Sequence, residues 1–421
     1  MADPEVLIVG GGLAGLACAR HLHQANVPFV LFEGSDRVGG RVRTDVVDGF
    51  QLDRGFQVLL TAYPETQREL DYDALDLRAF YDGALVRYNG RFHRVADPFR
   101  QPVDAAQTLV GPIGTLGDKL RVARQRRALM RESLPELFMR DETTTLDALH
   151  ARWGFSDAII DRFFRPFFGG IFFDRTLQAS SRMFEFVFKM FAEGSVALPA
   201  DGIEAIPRQM AASLPPESIH VNTRVQAVEG STVRLDDGTT RSAPSVVIAT
   251  EAPTANELLG RAVAPTGRQS ATCLYYAATN SPLKTPALLL NGTNDGPINN
   301  LSVLSDVAPS YAPPNRSLVS VVVVGHEDTP DAVLQEQVRA QLARWFDASV
   351  ALWTHLRTDR IAYALPDQSP PFLSPPRRPV RQGDHVYVCG DHTRTASLNG
   401  AIASGRTAAR AVLQDTPAVV A

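Results

Sequence analysis

Cysteine is scarce, with three residues in 421, at Cys18, Cys273 and Cys389. They lie far apart and no Cys-x-x-Cys pair occurs, which argues against a dithiol redox centre and a thiolate metal site. No metal is expected, and so sparse and odd a count fits a reducing, cytoplasmic compartment. Long apolar runs are missing too. The longest, such as Leu318–Val324, have strand length and cannot span a bilayer. The chain enters an apolar run within its first few residues, so no cleavable leader is expected. Neither sign of charge dominates: 42 basic and 46 acidic residues leave a net charge of −4, and a nucleic-acid partner is not expected. Internal repeats are absent. Proline patches at 309–314 and 366–379 are too short for disordered linkers and read as loops or crossings between domains.

What is there is ordinary globular composition, 44% hydrophobic and 21% charged, over a length that allows two or more domains. The chain is organised around its first thirty-three residues. Glu5–Val9 is a short apolar run, Gly10–Gly15 follows at once, and Leu16–Val27 is free of glycine and proline. Pro28–Phe32 is a second apolar run, and it ends on Glu33. This reads as strand, tight turn, helix, strand, acid. Gly10, Gly12 and Gly15 fill Gly-x-Gly-x-x-Gly, and Glu33 follows about 20 residues later, the fingerprint of a dinucleotide site. Gly10 allows the sharp exit from the strand, Gly12 a close approach of backbone to a pyrophosphate, and Gly15 tight helix–strand packing. The helix start at Leu13 and Ala14 offers unpaired N–H groups to phosphate. Glu33 can accept from a ribose and would repel a 2′-phosphate.

The next segment, Glu33-Gly34-Ser-Asp-Arg37-Val-Gly39-Gly40-Arg41, resembles the FAD signature Glu-x-x-x-Arg-x-Gly-Gly-Arg. That signature belongs to the flavin amine oxidase, protoporphyrinogen oxidase and phytoene desaturase superfamily. Gly39 and Gly40 permit backbone contact with a bulky cofactor, and Arg41 can neutralise a pyrophosphate. Thr44–Gly55 reads as a hairpin turning at Asp48-Gly49. The resemblance puts Gly55 near the flavin and gives the backbone of Val225, after Thr223-Arg224, to the adenine. At the other end, Gly390-Asp391-His-Thr through Ser397–Arg406 is similar to the C-terminal FAD motif, nearest to plant and cyanobacterial carotene desaturases. By that similarity Gly390 and Asp391 serve the ribityl or phosphate region. The backbone of Leu398, Asn399 and Ala401, at a helix N-terminus, faces the flavin where negative charge develops on reduction. FAD is expected to be non-covalent, because no thiol stands beside Ser397.

The middle of the chain carries less explicit signals. Tyr63–Leu70 reads as a helix with Pro64 near its start. Lys119–Arg131 combines six cations with Leu120, Val122, Leu129 and Met130. It is either a solvated helix face, the simpler reading, or a peripheral contact with an anionic membrane. Ten of the 21 phenylalanines fall within Phe163–Phe191. They form a helix core, an apolar pocket lining, or both. Gly169-Gly170 is expected to break that helix. Asp201 is a candidate N-cap for a helix through Leu214. Residues 219–247 read as an antiparallel ribbon and then a buried parallel strand. His21 and His23 on the first helix are expected to face solvent.

The fold expected is α/β, with a FAD-binding Rossmann-like, doubly wound parallel-sheet domain (1–60, 195–265 and 370–421) interleaved with an α+β substrate domain (61–194 and 266–369). No second glycine fingerprint follows a strand: Gly111, Gly114 and Gly117 have the wrong spacing and include Pro112. A nicotinamide domain is therefore not expected, and electrons are expected to leave to O2 or a quinone. The amine oxidase branch of the superfamily usually carries a lysine near flavin N5, in the strand matched by Cys273–Ala278. Alanine stands there, and Lys284 lies further on. In that branch an aromatic near the flavin face corresponds to Tyr363. No catalytic base is assigned. The expected activity is hydride transfer from an apolar, isoprenoid- or carotenoid-like small molecule to flavin N5. The alternatives are a flavin amine oxidase and a redox-neutral flavoprotein isomerase or apolar-ligand carrier.

Overall fold

Two sheets face each other across a deep cleft. The structure is a computed structural model that describes residues 4–415, with the backbone alone at 105–107 and 110. Strand β1 (Val6–Val9), helix α1 (Leu13–Gln24) and strand β2 (Phe29–Phe32) open the chain as expected. They seed a six-stranded sheet in the order Ile219–His220, β2, β1, Ser245–Ile248, Val386–Val388, Arg381–Gly383. The first five strands run parallel and the last is antiparallel. β1 is buried on both faces, as a central parallel strand must be. Its side chains alternate: Val6 and Ile8 pack toward α1 and the C-terminal helix (Leu398–Asp415), while Leu7 and Val9 pack toward the ribbon. That ribbon, Val225–Glu229, Thr232–Leu235 and Thr240–Ser242, is antiparallel as expected but starts at Val225, because Ile219–His220 pairs parallel with β2 instead.

The second sheet has seven strands in the order Thr354–Pro366, Arg268–Ala278, Ser317–Val323, Ile298–Val303, Leu288–Asn291, Gly83–Tyr88, Arg91–Ala96. All its pairings are antiparallel except Leu288–Asn291 with Gly83–Tyr88. Helix Asp331–Phe346 covers one face through Leu334, Val338 and Leu342. The hairpin β3 (Thr44–Val47) and β4 (Phe50–Asp53), turning at Asp48-Gly49, lays Phe50 and Leu52 on the other face with Tyr275 and Tyr311. Asp53 ties this junction. Its carboxylate accepts from Thr44 Oγ1 (2.6 Å), Ile203 N (3.0 Å) and Tyr311 OH (2.9 Å), and its carbonyl accepts from Tyr275 OH.

The phenylalanine segment divides by helical face. Phe164, Phe168 and Phe172 recur at four-residue spacing and join Phe184 and Phe186 in the core, each under 2% exposed. Phe168 meets Phe184 edge-on at 4.8 Å between ring centroids. Within this packing, fully buried Glu185 accepts from Arg152 (2.9 Å) and Trp153 Nε1 (3.0 Å) and pairs with Arg140 (2.8 Å).

Four local expectations need correction. Gly169-Gly170 does not break its helix, which runs from Arg165 to Phe172 and ends at Phe173 in the left-handed region. A Cβ on Gly170 would stand 2.7 Å from Asn300 Oδ1, so these glycines serve close packing instead. Asp201 caps nothing; the helix spans Ala205–Ala212, and the 202–206 turn is held by backbone bonds. His21 does not point freely into solvent. It bonds Glu69 at 3.0 Å on helix α2 (Pro64–Glu69), while His23 is exposed. The basic helix begins at Leu116, set by a Thr115–Asp118 capping box. No helix among the described residues is long and apolar enough to cross a membrane.

Candidate active site

The cleft between the sheets has a volume of about 880 Å³ and opens at the C-terminal ends of β1 and β2, where parallel sheets place ligands. Gly10 leaves β1 at φ 108°, a conformation that side chains resist. A Cβ on Gly15 would lie 1.9 Å from the Gly10 carbonyl oxygen, and one on Gly405 would lie 2.0 Å from that of Ala14. These two glycines let the turn, α1 and the C-terminal helix close on one another. Gly12 differs, because a Cβ there would meet nothing within 4 Å. Its missing side chain leaves room in the cleft instead of packing.

Gly10, Gly12, Leu13 and Ala14 line the cleft. α1 has no side-chain N-cap, so its first N–H groups are available to an anion. After β2, Glu33, Gly34, Gly39, Gly40 and Arg41 continue the lining. Glu33 accepts from Gly11 N (2.8 Å), Ser35 N (2.9 Å) and Ser35 Oγ (2.6 Å). A carboxylate offers about four acceptor positions, so one is left for a hydroxyl. Gly39 N donates to Gly11 O at 2.8 Å, which seats the Gly39-Gly40 turn against the glycine turn. Arg41 joins three segments: it donates to Ala364 O (2.8 Å), pairs with Asp391 (2.7 Å) and lies over the Tyr363 ring. Its charge is thus already balanced by Asp391, a partner that the sequence did not reveal. Gly55, Val225, Gly390, Asp391, Leu398 and Ala401 also line the cleft.

Three expected site residues do not face it. Gly15 is consumed by packing, as above. Arg37 turns outward to Asp45 (2.6 Å), Asp36 (2.9 Å) and Glu204 (3.1 Å), and so braces the loop against the hairpin. Asn399 accepts from Glu65 N at 2.9 Å and pins α2 to the C-terminal helix. His392 is buried outside the cleft with neither ring nitrogen partnered, and burial pushes it down to about 4, so it is neutral near pH 7. Lys284 sits exposed in a loop, and no lysine lines the cleft.

Other lining residues escaped the sequence reading. Thr250 and Glu251 follow the strand Ser245–Ile248, and a position just past a buried parallel strand was the available signal. Burial raises the Glu251 carboxyl above its usual range. Tyr63, Phe56, Asn300 and Arg268 arrive from distant segments without any local mark. The far half of the cleft is walled by Leu60, Phe167, Ile171, Met183, Val187 and Phe191. The acids on the cleft, Glu33, Glu251 and Asp391, all follow strands of the six-stranded sheet.

A flavin dinucleotide fits these residues. There is open space at Gly12, an uncapped helix start, a free acceptor on Glu33 and a second helix N-terminus at Leu398. The fold and site define a FAD-dependent oxidoreductase. The family model for flavin-containing amine oxidoreductases matches residues 13–413, and the chain belongs to that family. Over 53 residues it is 44% identical to polyamine oxidase 2 of Arabidopsis thaliana, covering 13% of this chain and 11% of that protein. Over 476 aligned residues it is 23% identical to the 15-cis-phytoene desaturase of Narcissus pseudonarcissus, covering 98% of this chain and 80% of that one. A solved structure described as "putative protoporphyrinogen oxidase" from Exiguobacterium sp. 255-15 shares the fold. Its TM-score is 0.73 at 19% identity, over 99% of this chain and 100% of that one.

Proposed function

We propose that this flavoenzyme oxidises an apolar, isoprenoid-like small molecule by hydride transfer to the flavin. The observation that carries this reading is the far half of the cleft. Its walls are mainly aliphatic and aromatic, with the Asn300 amide set against Gly170, and neither a lysine nor a carboxylate stands among them. Phe167 and Phe191 offer ring faces to a cation, but no carboxylate stands there to neutralise an ammonium group. When bound, FAD supplies the hydride acceptor. The chain's own part is to hold, orient and exclude water. Glu33, Gly12 and the α1 N-terminus grip the nucleotide end. The helix N-terminus at Leu398–Ala401 favours negative charge beside it. Tyr63, Tyr363 and the phenylalanines keep the substrate end dry. We assign cofactor binding to residues 1–60, 195–265 and 370–421, substrate binding to 61–194 and 266–369, and electron release to O2 or a quinone.

The same reading has substrate arriving from a membrane surface in a reducing, cytoplasmic compartment. In its support, Phe99, Val103, Leu109, Leu116 and Leu120 are each more than half exposed, and Arg124 and Arg127 are exposed on the helix that carries Leu116 and Leu120. Against a purely electrostatic contact, Lys119, Arg121, Arg124 and Arg126 all bond protein groups. Anaerobic titration of the FAD-loaded protein tests the substrate. Stoichiometric bleaching of the flavin by an isoprenoid and none by a polyamine is expected. Bleaching by the amine alone would return the chain to the amine oxidases, and turnover without bleaching would make it an isomerase or carrier.

A further inference from the structure

A second cavity, of about 330 Å³, lies behind the C-terminal helix, away from the cleft. Five guanidinium groups line it, from Arg377, Arg381, Arg394, Arg406 and Arg410, against the single carboxylate of Glu65. Glu65 is engaged by Arg406 and by Arg68. Arg381 is held outside the balance by Asp415, at 2.8 Å. Among the described residues, Arg377, Arg394 and Arg410 have no ion-pair partner. Arg394 donates to Thr407 Oγ1, and the Nε–H of Arg406 is buried with no acceptor at all. Burial pushes Arg394 down to about 10, and the charges of Arg377 and Arg406 add to the effect.

Converging like charges repel, and a buried guanidinium N–H without an acceptor costs free energy. A bound anion resolves both. We propose that this cavity is a binding site for a small soluble phosphate-bearing anion, a phosphoryl or diphosphoryl group, independent of the flavin and of its substrate. The chemistry favours phosphate over a lone carboxylate. Guanidinium forks pair two N–H groups with two oxygens of one planar or tetrahedral face, and several forks around one centre need an acceptor with oxygens on more than one face. The site sits on the same elements as the cleft. Arg406 and Arg410 continue the helix that begins at Leu398, and Glu65 follows Tyr63, which lines the cleft.

The test is calorimetric titration of sodium diphosphate into the FAD-loaded protein at low ionic strength. One saturable site is expected. It should weaken about 10-fold for each arginine removed, and so about 100-fold in the double variant Arg377→Ser, Arg410→Ser. Both positions are exposed and outside the cleft, so the variant should keep its flavin spectrum. Absence of saturable heat in the unmodified protein overturns the proposal. So does equal affinity in a double variant that retains its flavin.

Discussion

The two walls of the cleft are built from different material. The nucleotide wall is largely backbone, made of glycines, two helix N-termini and strand ends, with three acids at those strand ends. The opposite wall is side chain: phenylalanine, leucine, isoleucine, methionine and valine delivered from several segments. The packing behind the backbone wall tolerates almost no addition, because a Cβ on Gly15 or Gly405 would lie about 2 Å from a backbone oxygen. A side-chain wall can be re-cut by exchanging one apolar residue for another of different size. The contrast separates a fixed backbone wall from a side-chain wall that can change without changing the fold.

The largest expected effect is on the support of the side-chain wall. Glu185→Ala removes the fully buried acceptor that Arg140, Arg152 and Trp153 share. Breaking a buried pair in this way costs about 3–5 kcal/mol, read as a lowered denaturation midpoint. Glu185→Gln should recover part of it.

Next is Asp53, which straps the two walls together. Burial pushes its carboxyl up to about 6, and nearby Glu204 adds to the rise, against hydrogen bonds from Thr44, Ile203 and Tyr311. The folded protein therefore holds this proton more tightly than the unfolded chain, whose value is near 4. The stability so gained is complete below about pH 4 and is lost as pH rises through 6, an amount of up to about 3 kcal/mol. Asp53→Asn should flatten stability between pH 4 and 6. An unchanged slope in that variant would falsify the assignment.

Two glycines then separate packing from space. Gly15→Ala should cost about 1–3 kcal/mol by overpacking and take FAD binding with it. Gly12→Ala, with nothing near its added methyl, should leave the apoprotein's melting unchanged and weaken FAD about 10-fold, because the methyl enters cofactor space. If both variants melt alike, the distinction between the two glycines is wrong. The smallest effect is expected on the far wall. Phe191→Ala, half-buried at the cleft, should leave flavin affinity intact and lower kcat/KM for an apolar substrate about 10-fold.

Legibility in the sequence followed the same division. The Gly10–Gly15 turn, Glu33, Gly39-Gly40 and the Asp48-Gly49 hairpin could be read directly, because glycine at positive φ and an acid after a strand are local requirements of backbone geometry. The side chains of Arg37 and Asn399 serve as braces, which says nothing against the backbone of Asn399 at its helix N-terminus. A side chain's direction depends on which distant acid it finds, here Asp45 and Glu204 for Arg37 and the Glu65 amide for Asn399. The pairing of Arg41 with Asp391 spans most of the chain and left no local trace.

The phenylalanine segment shows where the boundary falls. Its sequence determined that a large apolar area would be buried, and its four-residue spacing determined that one helical face would hold Phe164, Phe168 and Phe172 together. Only the tertiary structure decided that this face is core, while Phe167, Phe173 and Phe191 front the cleft. The arginine cavity behind the C-terminal helix belongs to the same class of outcome. Its cations are scattered through 377–410 and converge only when that helix folds back past α2. Backbone conformation is set by neighbours in the chain and can be read there. Which side chains share a cavity is set by packing between segments far apart in sequence, and that information exists only in the folded molecule.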